Sequence, residues 1–244
     1  MSNHLLLSIA GLTKVFGGLV AVNQISFDIQ AGEVVGLLGP NGSGKTTLMN
    51  LISGALRPTQ GSVTLEGRRL TGLPPHRIAA TGVARTFQLV RVLPSLSALE
   101  NVMVGAVFGP DQVSPGAARA VARSVLERVG LGGREHLHPA EMTYIDQKRI
   151  ELARALAADP RILLLDEWLA GLNPTELQTG IELIRSLQAE GRTVLMVEHV
   201  MDAIRSLCDR CVVMSAGSKL AEGTPAEVLA NPDVIRAYLG DDHA

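Results

Sequence analysis

The chain has 244 residues, 46% hydrophobic and 19% charged, with a formal net charge of −2. That length suits one large α/β domain or a domain with an insertion, and the charge gives no electrostatic footprint for nucleic acid. No apolar run approaches the roughly 20 residues that span a bilayer. The N-terminus Met1-Ser2-Asn3-His4 lacks the basic region and cleavage site of a signal peptide. The expectation is a cytoplasmic protein whose membrane contact, if any, runs through a partner.

Residues 5–9 and 25–29 read as short strands, with large or β-branched apolar residues beside polar ones. Between them, Phe16 precedes Gly17-Gly18 on a turn. It is either core or a platform on which a base stacks, the latter worth roughly 1–3 kcal/mol. The apolar run Glu33–Leu38 follows, then Gly39-Pro40-Asn41-Gly42-Ser43-Gly44-Lys45-Thr46-Thr47, then a helical pattern over Thr47–Ser53. This is G-x-x-x-x-G-K-[ST] between a strand and a helix. Its glycines let successive N–H groups curl inward onto phosphate oxygens, and the helix N-terminus adds to that field. Lys45 is placed to reach the β- and γ-phosphates and the Thr46 hydroxyl to take one position on Mg²⁺. The chain is expected to bind a nucleoside triphosphate.

Gly61–Gly67 reads as a further strand, residues 74–82 as a short amphipathic helix, and Gly82–Gln88 as a strand ending on a polar residue. After Gln88 the pattern turns helical. Leu96–Val104 is predicted as helix, 105–116 as a loop because of its glycines and prolines, and Val121, Val125, Leu126 and Val129 as one apolar helix face. A helix is expected from about Gln147 to Ala158. Strand signals return at Ile162–Asp166 and at Thr193–Glu198, each a run suited to a parallel strand buried on both faces, with the helix Pro174–Ala189 between them. Cys208 and Cys211 are spaced C-x-x-C without thioredoxin-like surroundings; they read as a helix end and a strand start. No internal repeat or low-complexity tract is present.

Ligands of open parallel sheets sit outside the carboxyl ends of the strands. That edge would receive the phosphate loop, Gln88, Asp166-Glu167 and His199. Asp166 is placed to hold Mg²⁺, Glu167 to orient or deprotonate the attacking water, and His199 to hydrogen-bond the γ-phosphate. Taken singly, Asp166-Glu167 also suits a helix cap, and His199 a satisfied strand end.

In this order and spacing the residues resemble the nucleotide-binding subunit of an ATP-binding cassette (ABC) transporter, across essentially the whole chain. The resemblance implies an α/β fold: a P-loop NTPase (RecA-like) core with an antiparallel β subdomain (1–88 and 161–244) and an inserted helical subdomain (89–160). It makes Phe16 the adenine-stacking aromatic and Val22 its apolar neighbour. Gln88 becomes a link between Mg²⁺ and the membrane subunits, and Ala170-Gly171-Leu172-Asn173 a loop crossing a dimer interface. Ala84-Arg85-Thr86-Phe87-Gln88, Leu93-Pro94-Ser95-Leu96, Glu100-Asn101-Val102 and the end Asn231-Pro232-Asp233-Val234-Ile235-Arg236-Ala237-Tyr238-Leu239-Gly240 look like the branched-chain amino acid importer group. Urea and short-chain amide importers look similar at this level. The implied partners are a second ATP-binding subunit, two integral membrane permease subunits and, indirectly, a periplasmic solute-binding protein. The implied location is the cytoplasmic face of the membrane, with Leu89–Leu99 as a docking surface. The alternatives are a weakly hydrolysing regulatory subunit and a soluble cassette without a transport role.

Two positions depart from the family pattern. Met142-Thr143-Tyr144-Ile145-Asp146 stands where the signature reads close to Leu-Ser-Gly-Gly-Gln, the segment that meets the ATP held by the opposite subunit. Thr143 keeps a hydroxyl for that γ-phosphate, Tyr144 is tolerated, and Asp146 can cap the next helix. Ile145 in a glycine-only conformation would cost on the order of 1–3 kcal/mol. An asymmetric heterodimer with one impaired site follows as an expectation. Trp168, the only tryptophan, replaces a proline and is expected to put its ring near the dimer interface.

Overall fold

The computed structural model describes residues 4–239, so Met1, Ser2, Asn3 and Gly240 of the motifs above lie outside it. Two long strands, β1 (Leu5–Phe16) and β2 (Leu19–Gln30), pair antiparallel around Gly17-Gly18. Sequence periodicity marks only their outer halves. The reason is a series of register shifts between Ile9 and Val15, with Gly11 at φ +56°, which breaks the period of two.

Next come β3 (Val34–Leu38) and α1 (Lys45–Ile52), then β4 (Gln60–Leu65), β5 (Arg68–Arg69), α2 (Pro75–Ala79) and β6 (Val83–Arg85). A helical segment follows: α3 (Ala98–Phe108), α4 (Pro115–Arg128) and α5 (Tyr144–Ala157). The chain returns through β7 (Ile162–Asp166), α6 (Pro174–Ala189), β8 (Thr193–Val197), α7 (Met201–Leu207), β9 (Arg210–Ser215), β10 (Ser218–Gly223), α8 (Pro225–Ala230) and α9 (Pro232–Leu239).

The strands form a four-stranded sheet, β2-β1-β4-β5, and a six-stranded sheet, β10-β9-β3-β8-β7-β6. The smaller sheet is antiparallel, while β9, β3, β8, β7 and β6 run parallel. Every residue of β3, β7 and β8 is buried, as a sheet covered on both faces requires. Within β3 the alternation is visible: Val35 and Leu37 face one core, shared with α1 and the antiparallel sheet. Val34 and Leu38 face a second core, shared with α6 and α7. A third core ties α3, α4 and α5 together through Val102, Leu126 and Ile150.

Several helix boundaries differ from the sequence expectation, among them the start of α4 at Pro115, inside the expected loop, and two in α3 and α5 that have a clear physical cause. α3 continues through Gly105 to Phe108 instead of ending there. A Cβ at Gly105 would lie 2.0 Å from the Arg154 carbonyl, so this glycine lets α3 and α5 touch and does not break the helix. α5 begins at Tyr144, not near Gln147, because Thr143 is its N-cap. Asp146 is therefore not the cap but its reciprocal partner, accepting from the Thr143 N–H and hydroxyl.

Candidate functional site

At the C-terminal end of β3 the chain turns through the phosphate loop into α1. Gly39 has φ +143°, and a Cβ there would stand 2.1 Å from the Met214 carbonyl. Gly44, at φ +102°, caps α1 with no side-chain hydrogen bond, and a Cβ there would come 2.4 Å from the Ala21 carbonyl. Neither position admits a side chain. The uncapped N–H groups of the first turn thus remain available for an anion.

A cleft of about 630 Å³ opens over this loop, walled by Phe16, Leu19, Val20 and Ala21 on one side and reaching Gln88 and Glu167 on the other. Asn41, Gly42, Ser43, Gly44, Lys45, Thr46 and Thr47 form its floor. Gly39 and Pro40 act from behind: their carbonyls accept from Lys45 Nζ at 2.6 and 2.9 Å. Burial pushes the Lys45 pKa down, while Glu167 and Asp166 pull it back up. The ammonium is thus desolvated before any ligand arrives.

Phe16 is 43% exposed at the cleft mouth, with Lys14 Nζ 4.8 Å from its ring centroid. It is not a core residue. Val22, in contrast, does not reach the cleft: it is fully buried in the first core, where register shifts between β1 and β2 interrupt the simple alternation of faces. Leu19, Val20 and Ala21 supply the apolar wall that the sequence had assigned to it.

The parallel strands bring the remaining polar groups to the same edge. Gln88 follows β6, Glu167 follows β7 and His199 follows β8. The Glu167 carboxylate accepts from the Gln88 amide at 2.7 Å and meets His199 Nε2 at 3.1 Å. Glu167 itself has φ +50°, a left-handed conformation rare for a side chain of this type.

Asp166, at the end of β7, is 2% exposed. One of its oxygens accepts from Arg85 at 2.7 Å, and the other is buried with no partner among the described residues. Arg85 also donates to Asn50 and Ser53, joining β6, α1 and β7. In the sequence Arg85 stands out only as part of a longer motif. A charged residue in a three-residue strand beside a buried one was the available signal. Tyr238 was likewise missed: its Oη, from α9, accepts from the Gly39 N–H at 2.8 Å.

The signature-like turn lies away from this cleft. Thr143 and Tyr144 are exposed, and Ile145 is the second residue of α5 in ordinary right-handed conformation. The strain expected at Ile145 is therefore absent. Trp168 is also not a surface ring: at 2% exposure it is packed into the second core. Cys208 follows α7 and Cys211 lies in β9, both buried and unpaired by disulfide.

Comparison with known proteins fits this geometry. The ABC transporter family model matches residues 22–170, and a model described as branched-chain amino acid ATP-binding cassette transporter matches 218–244. The chain is 42% identical to the high-affinity branched-chain amino acid transport ATP-binding protein LivG of Salmonella typhimurium, covering 97% of this chain and 98% of LivG. It is 41% identical to BraF of Pseudomonas aeruginosa, a protein described in the same words, at the same coverage of both chains. Among solved structures, the ATP-binding cassette MJ1267 in its ADP conformation superposes with a TM-score of 0.86 at 30% identity, covering 97% of this chain and 99% of its own.

Proposed function

This chain belongs to the ABC transporter ATP-binding family, and from that premise we propose that it drives an importer of branched-chain amino acids or a closely related small polar solute. It is an ATPase whose turnover is coupled to transport. The observation that carries the mechanism is the convergence of Gln88, Glu167 and His199 beside the phosphate loop.

In this reading the triphosphate lies along the floor of the cleft with the adenine against Phe16. Loop N–H groups and Lys45 take the β- and γ-phosphate charge, Lys45 leaving the loop carbonyls that hold it. Glu167 orients the attacking water in line with the γ-phosphorus, and His199 and Gln88 fix that carboxylate from two sides. Thr46, Asp166 and Gln88 suit Mg²⁺. The unpartnered Asp166 oxygen is a ready acceptor position, yet no cluster of three His, Cys, Asp or Glu side chains among the described residues could hold an ion alone. The remaining ligands would be phosphate oxygens and water. When bound, the ion would neutralise charge on the phosphates.

No helix among the described residues is long and apolar enough to cross a membrane, so coupling needs permease partners. The docking site in this reading starts from Leu89–Leu99, where Leu89 and Leu93 are exposed, and takes in a groove of about 290 Å³ lined by Ala79, Phe87, Val104 and Phe108. Phe87, with the Arg85 and Arg91 guanidinium carbons 5.0 and 4.1 Å from its ring centroid, adjoins Gln88 and so connects groove and carboxylate. Two permease subunits, a second ATP-binding subunit that offers its own signature turn, and a periplasmic binding protein complete the complex at the cytoplasmic face of the membrane. Thr143, Tyr144, Ile145 and Asp146 of this chain would face the partner's ATP. A weakly hydrolysing regulatory role loses its motive, since Ile145 is unstrained.

The test is uptake of labelled leucine by cells lacking the native copy and supplied with wild type or Glu167→Gln. Wild type should restore uptake, and Glu167→Gln should reduce both uptake and ATP turnover to background. Equal uptake by the two would refute the role of Glu167. ATP turnover without uptake of labelled leucine, isoleucine or valine would refute a branched-chain amino acid as the solute.

A further inference from the structure

A buried ionic cluster lies outside the residues that line the cleft. Lys148, in the second turn of α5, is 2% exposed and donates from Nζ to the carbonyls of Trp168 at 3.0 Å and Ala170 at 2.6 Å. The indole Nε1 of Trp168 donates back to the Lys148 backbone carbonyl at 3.2 Å. Glu198, the residue before His199 and 1% exposed, accepts from the Leu169 N–H at 2.7 Å. Glu198 and Lys148 also attract one another electrostatically.

The three residues after Glu167 are thus gripped from two different elements. Trp168 and Ala170 are held by α5, and Leu169 by the end of β8. Glu167 itself is held at φ +50°, with its N–H on the Val197 carbonyl at 2.9 Å. A left-handed glutamate persists only where the surroundings over-determine it. A buried lysine that spends its donors on carbonyls is costly unless it fixes something. Trp168 and Ile145 further line one small cavity of about 140 Å³, with Arg149 and Gly180. The two departures from the family pattern are therefore neighbours.

We propose that Lys148 and Trp168 form a reciprocal latch, backed by Glu198, that holds the backbone around Glu167 so that its carboxylate faces Gln88 and His199. All three are positioning residues. The proposal rests on Glu167 being the hydrolytic carboxylate. Because Lys148 lies on α5, the latch also connects the Thr143–Asp146 turn to the backbone after Glu167 through one helix.

The experiment measures ATP turnover by the assembled transporter, together with labelled-ATP binding and tryptophan emission of the isolated full chain, whose only tryptophan is Trp168. Lys148→Met should lower kcat about ten- to a hundredfold, with KM and ATP affinity within about twofold of wild type. Its Trp168 emission should shift to the red, and Lys148→Arg should recover most of the lost kcat. Trp168→Phe, which keeps a ring but loses the N–H, should lower kcat less at unchanged KM, and serves if Lys148→Met does not fold. Wild-type kcat in either variant, or loss of ATP affinity in step with kcat, would overturn the latch. Glu167→Gln separates the two ideas: turnover surviving there overturns the assignment of Glu167 and the latch with it. Background turnover there beside wild-type kcat in Lys148→Met overturns the latch alone.

Discussion

At the scale of single residues, charge burial sets the chemistry of the site. Burial pushes the Glu198 pKa up to about 7, against the N–H of Leu169 and the cation of Lys148, which pull it down; Glu167 adds to the rise. The folded value lies above the ordinary 4.5, so the native state binds the proton more tightly than the unfolded chain. This contribution is therefore present at low pH and is lost as pH rises from about 4.5 to about 7, by on the order of 3 kcal/mol. Glu198→Gln should flatten that decline in urea titrations between about pH 5 and pH 8. A variant that declines in parallel with wild type would contradict the assignment. Ile145 gives a second residue-scale outcome. It stands in regular helix and lines a cavity with Trp168, so Ile145→Gly should cost about 1–2 kcal/mol of stability through lost contacts and helix propensity. ATP turnover should not rise, and a clear rise would restore the idea of a strained signature turn.

At the scale of elements, the helical segment is built by close contact as much as by apolar burial. α3 lies against α5 where Gly105 faces the Arg154 carbonyl, and α5 begins at the reciprocal pair Thr143 and Asp146. Gly105→Ala would force a methyl group to within 2.0 Å of that carbonyl unless the helices separate. A loss of about 1–3 kcal/mol in thermal or urea unfolding is expected, the usual range for overpacking. An unchanged midpoint would mean that the two helices part freely. The glycine that looks like a helix breaker in the sequence is a contact residue in the fold. That distinction was hidden because periodicity and turn composition describe one segment at a time, whereas the partner at Gly105 lies 49 positions further on, at Arg154.

At the scale of the whole molecule, Arg85 joins the parts that must act together. Its guanidinium binds Asp166 on β7 and Asn50 and Ser53 around α1, and it lies 5.0 Å from the Phe87 ring at the apolar groove. Arg85→Met would leave the buried Asp166 carboxylate without its cation. Breaking one side of a buried pair costs about 3–5 kcal/mol, which equilibrium denaturation of the full chain would register. A loss below about 1 kcal/mol would mean that water replaces the guanidinium, as at an exposed pair.

The sequence by itself determined the phosphate loop, the buried parallel strands and the polar residue at the end of each. Those features are local: a glycine pattern, a run of apolar residues, a carboxylate or imidazole where the run stops. From them the positions of Lys45, Asp166, Glu167 and His199 at one sheet edge followed. Tertiary structure alone decided the rest. Val22 turned inward because strand bulges set which face it takes, and Phe16 stayed at the mouth of the cleft. Trp168 entered the core because a lysine on α5 and its carbonyl were there to receive it. Ile145 escaped strain because Thr143, three residues before Asp146, starts the helix early. Arg85, Lys148, Glu198 and Tyr238 gained their roles only through partners distant in sequence, and no spacing rule in a single chain encodes such partners.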